Sequence, residues 1–305
     1  MKYYLIKAVL GRNPRIEISK ERYDALLTSW STIILLSNLE EQWDCVIQNY
    51  IELEQELLKE AVNSMILLME QYDQFSDIRL GFARKLSNFL STARAYLDYT
   101  PKILKRSERH DAKDQFKLAT NKAYDAFFGY RFMEALRNYS QHAGLPIHGA
   151  GMNSSWIEDD ETGERAGFLR HTVHANINIE RLRADNSFKK TILDEIDPQT
   201  KQLNMATPLR EYLEGLGSVH DSLRTALASE FDNAKSLINE AIEEYSAAND
   251  GNVIGLSVAE FDDDSLVDKQ NIFEELIERI TRLQIRNGTL KNFQRRYVSS
   301  EIVSK

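Results

Sequence analysis

Apolar residues recur every three or four positions along most of this chain, which is the spacing that places them on one face of an α-helix. Six segments share this spacing and are predicted as helices: residues 20–36, 43–68, 78–96, 111–142, 209–245 and 272–283. Four signals predict where helices begin or end: a capping box at Ser37 and Glu40, Thr100-Pro101, Gly144-Leu145-Pro146, and Thr207-Pro208. The periodicity therefore predicts a mainly α protein.

Residues 150–182 follow a period of two instead of the helical period. Residues 173–180 alternate apolar and polar side chains, and the acidic stretch around Gly163 before them is typical of a turn. These features predict a β-hairpin inserted among the helices. Two further short strands are predicted at residues 3–10 and 253–261, and they could pair with each other.

Length and composition favour a single mainly helical domain over residues 1–305. The chain has 42% hydrophobic and 28% charged residues, which is ordinary for a globular protein, and it shows no internal repeat. We expect a helical bundle with the inserted β-hairpin and small β additions. The helical core would cover about 18–250, and the C-terminal segment 251–305 is first acidic and then basic.

No segment approaches the ~20 uncharged apolar residues that a membrane-spanning helix needs, and the opening residues do not follow a signal-peptide pattern. We therefore expect a cytoplasmic protein with no membrane partner. The single cysteine, Cys45, excludes an internal disulfide and a cysteine-rich zinc site, and we expect it to be buried. His171 and His174 would point to opposite faces of a strand, so no metal site is predicted, and no cofactor either.

The formal net charge of −9 argues against indiscriminate binding to nucleic acid, because such binding depends on many lysine and arginine contacts to phosphate. The charge is uneven, since residues 229–275 are acidic whereas 102–122 and 279–305 carry basic runs. Either basic run could guide RNA toward a site. Either could equally be a solvated face or pair with the acidic segment.

A polar stripe is predicted at the end of the 111–142 helix. Its residues are spaced by three, one, three and one, so they share one side of the helix: Glu134, Arg137, Asn138, Gln141 and His142. A guanidinium keeps its charge near neutral pH, whereas an imidazole exchanges its proton there, so the pair offers a phosphate clamp beside a proton shuttle. Cleavage of RNA without a metal needs both parts. We expect Glu134 to bond to Arg137 and to hold the guanidinium in one orientation.

Two neighbouring residues could contribute to such a site. His148 lies in the loop beyond the predicted helix, and it could assist catalysis if the loop folds back over the stripe. Tyr139 could stack on an RNA base. The alternative is that the stripe is only the wet side of a surface helix, with Arg137 as an exposed charge and His142 as a C-terminal cap.

The order Arg137-Asn138-x-x-x-His142 resembles the signature of the HEPN superfamily of helical bundles. A looser match at Arg165 and His171 lacks the polar residue after the arginine. The resemblance implies a metal-independent ribonuclease of toxin–antitoxin or phage-defence systems. It makes Arg137 the phosphate clamp, His142 the general acid/base and Asn138 their supporting residue, and it implies an RNA substrate and a homodimer whose two motifs meet in a cleft.

Three functions stay open on the sequence alone. The first is a metal-independent endoribonuclease, a toxin or defence effector that an antitoxin or a sensor protein could control. The second is a non-catalytic helical interaction or regulatory protein whose charged segments dock a partner. The third is a nucleotide-binding sensor that uses the same polar stripe without chemistry.

Overall fold

The structure, a computed structural model, describes residues 1–9, 13–67, 72–158, 163, 165–296 and 298. Within these residues the helices are α1 (Lys20–Ile66), α2 (Tyr72–Arg106), α3 (His110–Ala126), α4 (Phe128–His142), α5 (Ile179–Ala184), α6 (Lys190–Leu193), α7 (Ala206–Ala248) and α8 (Glu274–Arg286). The strands are β1 (Lys2–Lys7), β2 (Ile16–Ile18), β3 (Gly149–Glu158), β4 (Arg165–Asn178), β5 (Gln202–Asn204), β6 (Leu256–Asp262) and β7 (Ser265–Asn271). A short 3₁₀ helix spans Phe293–Arg295. The predicted mainly α class is confirmed.

The chain groups into two compact units. The first contains residues 1–44, 102–115 and 222–288, and the second contains residues 45–101, 116–221 and 289–305. The long helices α1, α2 and α7 each contribute residues to both units. The expectation of a single domain over the whole chain stays a prediction.

The first unit contains a four-stranded antiparallel sheet in the order β2-β1-β6-β7. Its central strands, β1 and β6, are the two short strands predicted from the sequence, and they pair with each other. Leu5 lies opposite Val258 in this pairing, and both side chains are fully buried. The ring of Tyr3 lies 4.7 Å from that of Tyr23, so the sheet packs against the start of α1.

The second unit contains α4 and a three-stranded antiparallel sheet in the order β3-β4-β5. β3 and β4 are the strands predicted from the period of two, and they pair with Gly149 opposite Asn176 and Trp156 opposite Leu169. Apart from Gly163, the turn predicted between them falls outside the residues that the structure describes.

Aromatic side chains hold α4 against α7 in the second unit. Tyr212 of α7 is fully buried, and its ring lies 5.1 Å from Tyr130 of α4 and 5.8 Å from Phe89 of α2. A side chain at Gly215 would come within 2.8 Å of the Tyr130 ring, so glycine permits this close packing. The core thereby fixes the helix that carries the polar stripe.

Two predicted helix breaks are wrong. α1 runs straight through Ser37, and Glu40 forms an ion pair of 2.6 Å with Arg224 instead of closing a capping box. α2 continues through Pro101 to Arg106, although a proline inside a helix costs about 3 kcal/mol. The apolar spacing continues past the proline to the fully buried Leu104, so packing outweighs the local preference.

Cys45 is exposed, and the expectation that it is buried was wrong. The buried positions beside it on α1 are Trp43 and Val46, so Cys45 lies just outside the apolar face. A small residue at the edge of that face gives nearly the same sequence pattern as one inside it.

Candidate active site

The helix that carries the polar stripe is shorter than predicted. The sequence predicts one helix over 111–142, but α3 ends at Ala126 and α4 begins at Phe128. Phe127 between them has an extended backbone, with φ −112° and ψ 118°. The stripe therefore belongs to a separate helix of 15 residues.

Long-range contacts stabilise this break. The Glu211 carboxylate accepts a hydrogen bond of 2.7 Å from the backbone N–H of Gly129, which is one of the unpaired donors at the start of α4. Arg131 donates from Nη1 to the carbonyl oxygens of Tyr124 and Asp125, at 2.6 and 2.8 Å, and so satisfies acceptors at the end of α3. Both helix ends gain partners that a continuous helix would not need.

One face of α4 is buried and the other carries the predicted stripe. Phe132, Met133 and Leu136 are fully buried. On the opposite side Glu134 and Arg137 are half-buried, and three residues are exposed: Asn138, Gln141 and His142. This division follows the helical period, so the predicted stripe is present as a surface feature.

Arg137 and Asn138 interact directly. Arg137 donates from Nη1 to Oδ1 of Asn138 at 3.2 Å. Its Nε is buried and has no hydrogen-bond partner among the described residues. A buried N–H without a partner is uncommon in folded proteins. The guanidinium is thus held at one corner by Asn138, while its unpartnered Nε faces the interior.

Glu134 does not orient Arg137, and this expectation was wrong. Its carboxylate accepts from Nη1 of Arg94 at 3.1 Å and from the hydroxyl of Tyr212 at 2.5 Å. Arg94 also forms an ion pair of 2.7 Å with Asp98. Glu134 therefore belongs to a cluster of polar and charged side chains that joins the middle of α4 to α2 and α7.

His142 is the last residue of α4 and is exposed. Within the described part of the chain no hydrogen bond, ion pair or ring contact joins it to Arg137. Five residues of α-helix rotate by about 140° and rise by about 7.5 Å, so the two side chains leave the helix at opposite edges of the stripe. The structure keeps both residues accessible from solvent but does not bring them into contact within one copy of the chain.

His148 is held in a neutral form. Its Nδ1 accepts a hydrogen bond of 3.1 Å from the backbone N–H of Asn178, and its Nε2 lies 3.4 Å from the hydroxyl of Tyr139. Burial, followed by the charges of Arg181 and Arg79, lowers its pKa to about 4. Both ring nitrogens are engaged, so His148 positions the loop after α4 rather than offering a mobile proton.

Tyr139 is 2% exposed, with its ring against His148 and Phe188. It cannot stack on a base without leaving the core, so that expectation was wrong. Tyr139 is a packing residue that connects α4 to the loop carrying His148.

The predicted basic runs are partly engaged in ion pairs within the first unit. Arg109 pairs with Glu230 at 2.9 Å, and Arg279 pairs with Glu41 at 2.7 Å. These arginines contribute to the structure of the unit, and their charge is already compensated.

Beside α4 the second unit contains a cavity of about 420 Å³. Glu134 and Asn138 of the stripe line it, together with Arg94, Arg131 and Tyr130, whereas Arg137 and His142 do not. Sequence reasoning missed this cavity because its walls come from α2, α3, α4 and α6. The sequence offered one signal of the cavity, namely a charged residue, Arg94, in a helix that is otherwise well packed.

Among the described residues, no group of three or more histidine, cysteine, aspartate or glutamate side chains is placed to hold a metal ion. Over the same part of the chain, no helix combines the length and the apolar character needed to cross a membrane. No protein-family model matches the chain, and no curated protein or solved structure matches it either.

Proposed function

We propose that this chain is a metal-independent endoribonuclease that cleaves RNA through Arg137 and His142. The observation that carries the proposal is the hydrogen bond of 3.2 Å between Arg137 and Asn138 at the end of an amphipathic helix. The HEPN resemblance gives Asn138 a supporting role, and this bond is a direct way to exert it. The remaining guanidinium donors are suited to the charge that develops on a phosphoryl group.

In the proposed reaction His142 takes the proton from a ribose 2′-hydroxyl. The 2′-oxygen attacks phosphorus and the bond from phosphorus to the 5′-oxygen breaks. The protonated His142 imidazole then gives its proton to the leaving 5′-oxygen, which restores the neutral histidine. Arg137 stabilises the charge on the phosphoryl oxygens during the transfer. The products are a 2′,3′-cyclic phosphate and a 5′-hydroxyl.

The proposal includes a homodimer. Since Arg137 and His142 leave α4 about 140° apart, a second copy is a natural way to bring an arginine and a histidine to the same phosphate. The same proposal includes four further points: the bundle arrangement, the insertion of the β3–β4 hairpin within it, a cytoplasmic location, and control by an antitoxin or sensor partner.

Substitution tests the two catalytic residues. We expect Arg137→Ala and His142→Ala each to lower RNA cleavage by ~100-fold or more, because each removes a chemical role that water replaces poorly. Asn138→Ala should lower it less, since the guanidinium remains. Cleavage of total cellular RNA by the purified protein is followed on denaturing gels, with and without EDTA, and the helical circular dichroism signal is compared.

The looser sequence match provides matched controls. Arg165→Ala and His171→Ala remove the same residue types from β4 and should leave cleavage unchanged. Retained cleavage in both the Arg137 and His142 variants, or a loss of cleavage on adding EDTA, would contradict the proposal.

A further inference from the structure

The cavity beside α4 has the size of a small-ligand site. Its volume of about 420 Å³ lies within the range of about 300–1,000 Å³ that such sites occupy. Its wall combines apolar and polar groups in about equal measure, and the polar part presents carboxylate, amide, hydroxyl and cationic groups. It is lined by side chains other than the two proposed catalytic residues, so its function does not depend on ribonuclease activity.

Tyr130 gives the first indication of a ligand. It lines the cavity and is only 1% exposed, and its hydroxyl has no hydrogen-bond partner among the described residues. Burial raises the pKa of this hydroxyl, as does the charge of Glu134, so it remains protonated and able to donate. A buried hydroxyl without a partner costs about 1–3 kcal/mol, which a ligand oxygen at this point would offset.

The charged groups of the wall indicate which charge the ligand carries. Arg94 is compensated by Asp98 and Glu134, and Arg131 is compensated by Glu195 at 2.5 Å. Lys189 is exposed and has no carboxylate partner within the described ranges. One uncompensated cation therefore remains at the solvent side of the cavity, and it favours a ligand with a single anionic group.

The polar groups in the rest of the wall favour a ligand that carries hydroxyl groups. The carboxylates of Asp98 and Glu134 accept hydrogen bonds, and the amide of Asn138 both donates and accepts, which matches the hydroxyls of a polyol. The Tyr124 hydroxyl is already engaged, since it accepts a hydrogen bond of 2.8 Å from the Lys189 ammonium, and the Tyr124 ring meets Tyr130 edge-on. Hydrogen bonding is therefore what the polar part of this wall offers.

We propose that the cavity binds a small polyhydroxylated phosphate, of the sugar phosphate class. A ligand oxygen accepts from the Tyr130 hydroxyl at the buried end. The ligand hydroxyls bond to Asp98, Glu134 and Asn138, and the phosphate lies against Lys189.

Calorimetric titration of the 305-residue chain with D-ribose 5-phosphate tests the proposal. D-ribose, inorganic phosphate and adenosine 5′-monophosphate are titrated as separate arms. We expect the sugar phosphate to bind at least ~10-fold more tightly than ribose or phosphate alone, because only it reaches both ends of the cavity. Tyr130→Phe should weaken this binding by ~5-fold while leaving the melting temperature of the ligand-free protein unchanged or higher, since it removes an unsatisfied buried group.

Lys189→Gln should weaken binding of the sugar phosphate but leave that of ribose unchanged. Lys190→Gln is the matched control, because Lys190 is the neighbouring exposed lysine and does not line the cavity, and it should bind like the wild type. The proposal is overturned if ribose 5-phosphate does not bind, if Tyr130→Phe and Lys189→Gln bind it as the wild type does, or if the nucleotide binds more tightly than the sugar phosphate. Loss of RNA cleavage in the catalytic variants with this binding intact would separate the two proposals.

Discussion

His148 and Glu134 illustrate how distant neighbours decide the chemistry of a side chain. The family resemblance gave Asn138 a supporting role beside Arg137, and the structure joins the two side chains by a hydrogen bond. It could not identify the partners of Glu134, since Arg94 and Tyr212 lie 40 and 78 positions away. In the same way, His148 accepts its hydrogen bond from the backbone N–H of Asn178, which lies 30 positions further along the chain. Local spacing therefore predicts which residues share a face of one element, but not which partner a charged side chain takes when other elements also offer one.

The lowered pKa of His148 predicts a pH dependence of stability. The folded chain keeps the imidazole neutral down to a pKa of about 4, whereas the unfolded chain protonates it near 6.5, so the unfolded state binds more protons between these values. The contribution of His148 to the free energy of unfolding should be fully present above pH 6.5. It should be lost as the pH drops toward 4, which lowers the free energy of unfolding by about 2 kcal/mol after allowance for partial exposure. Urea unfolding at a series of pH values measures this loss.

His148→Asn removes the titrating ring and keeps an oxygen where Nδ1 accepts its hydrogen bond. Its stability should depend less on pH than that of the wild type over this range. Identical pH profiles for the two proteins would show that His148 is not held neutral. His110→Asn, at an exposed position, serves as the control and should keep the pH dependence of the wild type.

At the scale of elements, the class of each long segment was predictable but its ends were not. Apolar spacing located the helices because burial of one face is what stabilises them. The ends depend on contacts that the spacing does not contain. Glu211 and Arg131 create a break at Phe127 where the sequence has no stop signal, and tertiary packing carries α2 through the stop signal at Pro101.

Substitution of two helical glycines by alanine should have opposite effects on stability, because only one of them lies where α4 closely approaches α7. A side chain at Gly129 would come within 2.4 Å of the backbone oxygen of Pro208, which cannot move aside, so Gly129→Ala should lower the free energy of unfolding by about 2 kcal/mol or more. Gly81 lies inside α2 with ordinary contacts, so Gly81→Ala should raise it by about 0.5–1 kcal/mol. Chemical denaturation compares the two variants, and equal stability changes would refute the packing argument.

At the scale of the whole molecule, one copy of the chain does not join Arg137 to His142. The net charge of −9 also gives little general attraction for RNA. Both facts favour completion of the proposed site by assembly, with local cations rather than overall charge holding the substrate. The proposed dimer rests on the family resemblance, because residue periodicity does not distinguish a surface that contacts a second copy from one that faces solvent.

Mixing of variants tests whether the active site is shared. If Arg137 of one copy acts with His142 of the other, a mixture of Arg137→Ala and His142→Ala chains contains heterodimers with one intact site. Such a mixture should regain about a quarter of the wild-type cleavage after random exchange of subunits. Light scattering should give twice the 35.2 kDa of one chain. A monomeric mass, or a mixture that stays inactive despite subunit exchange, would contradict the shared site.

Tyr130 and Arg137 are the side chains with a buried, unbonded polar atom in the described part of the chain, and both belong to α4. A sequence selected for folding alone would replace them with phenylalanine and an aliphatic residue, since each unsatisfied group destabilises the native state by about 1–3 kcal/mol. Directed evolution toward heat resistance should therefore change α4 early, and a library selected in that way would reveal which positions the natural chain keeps for reasons other than folding.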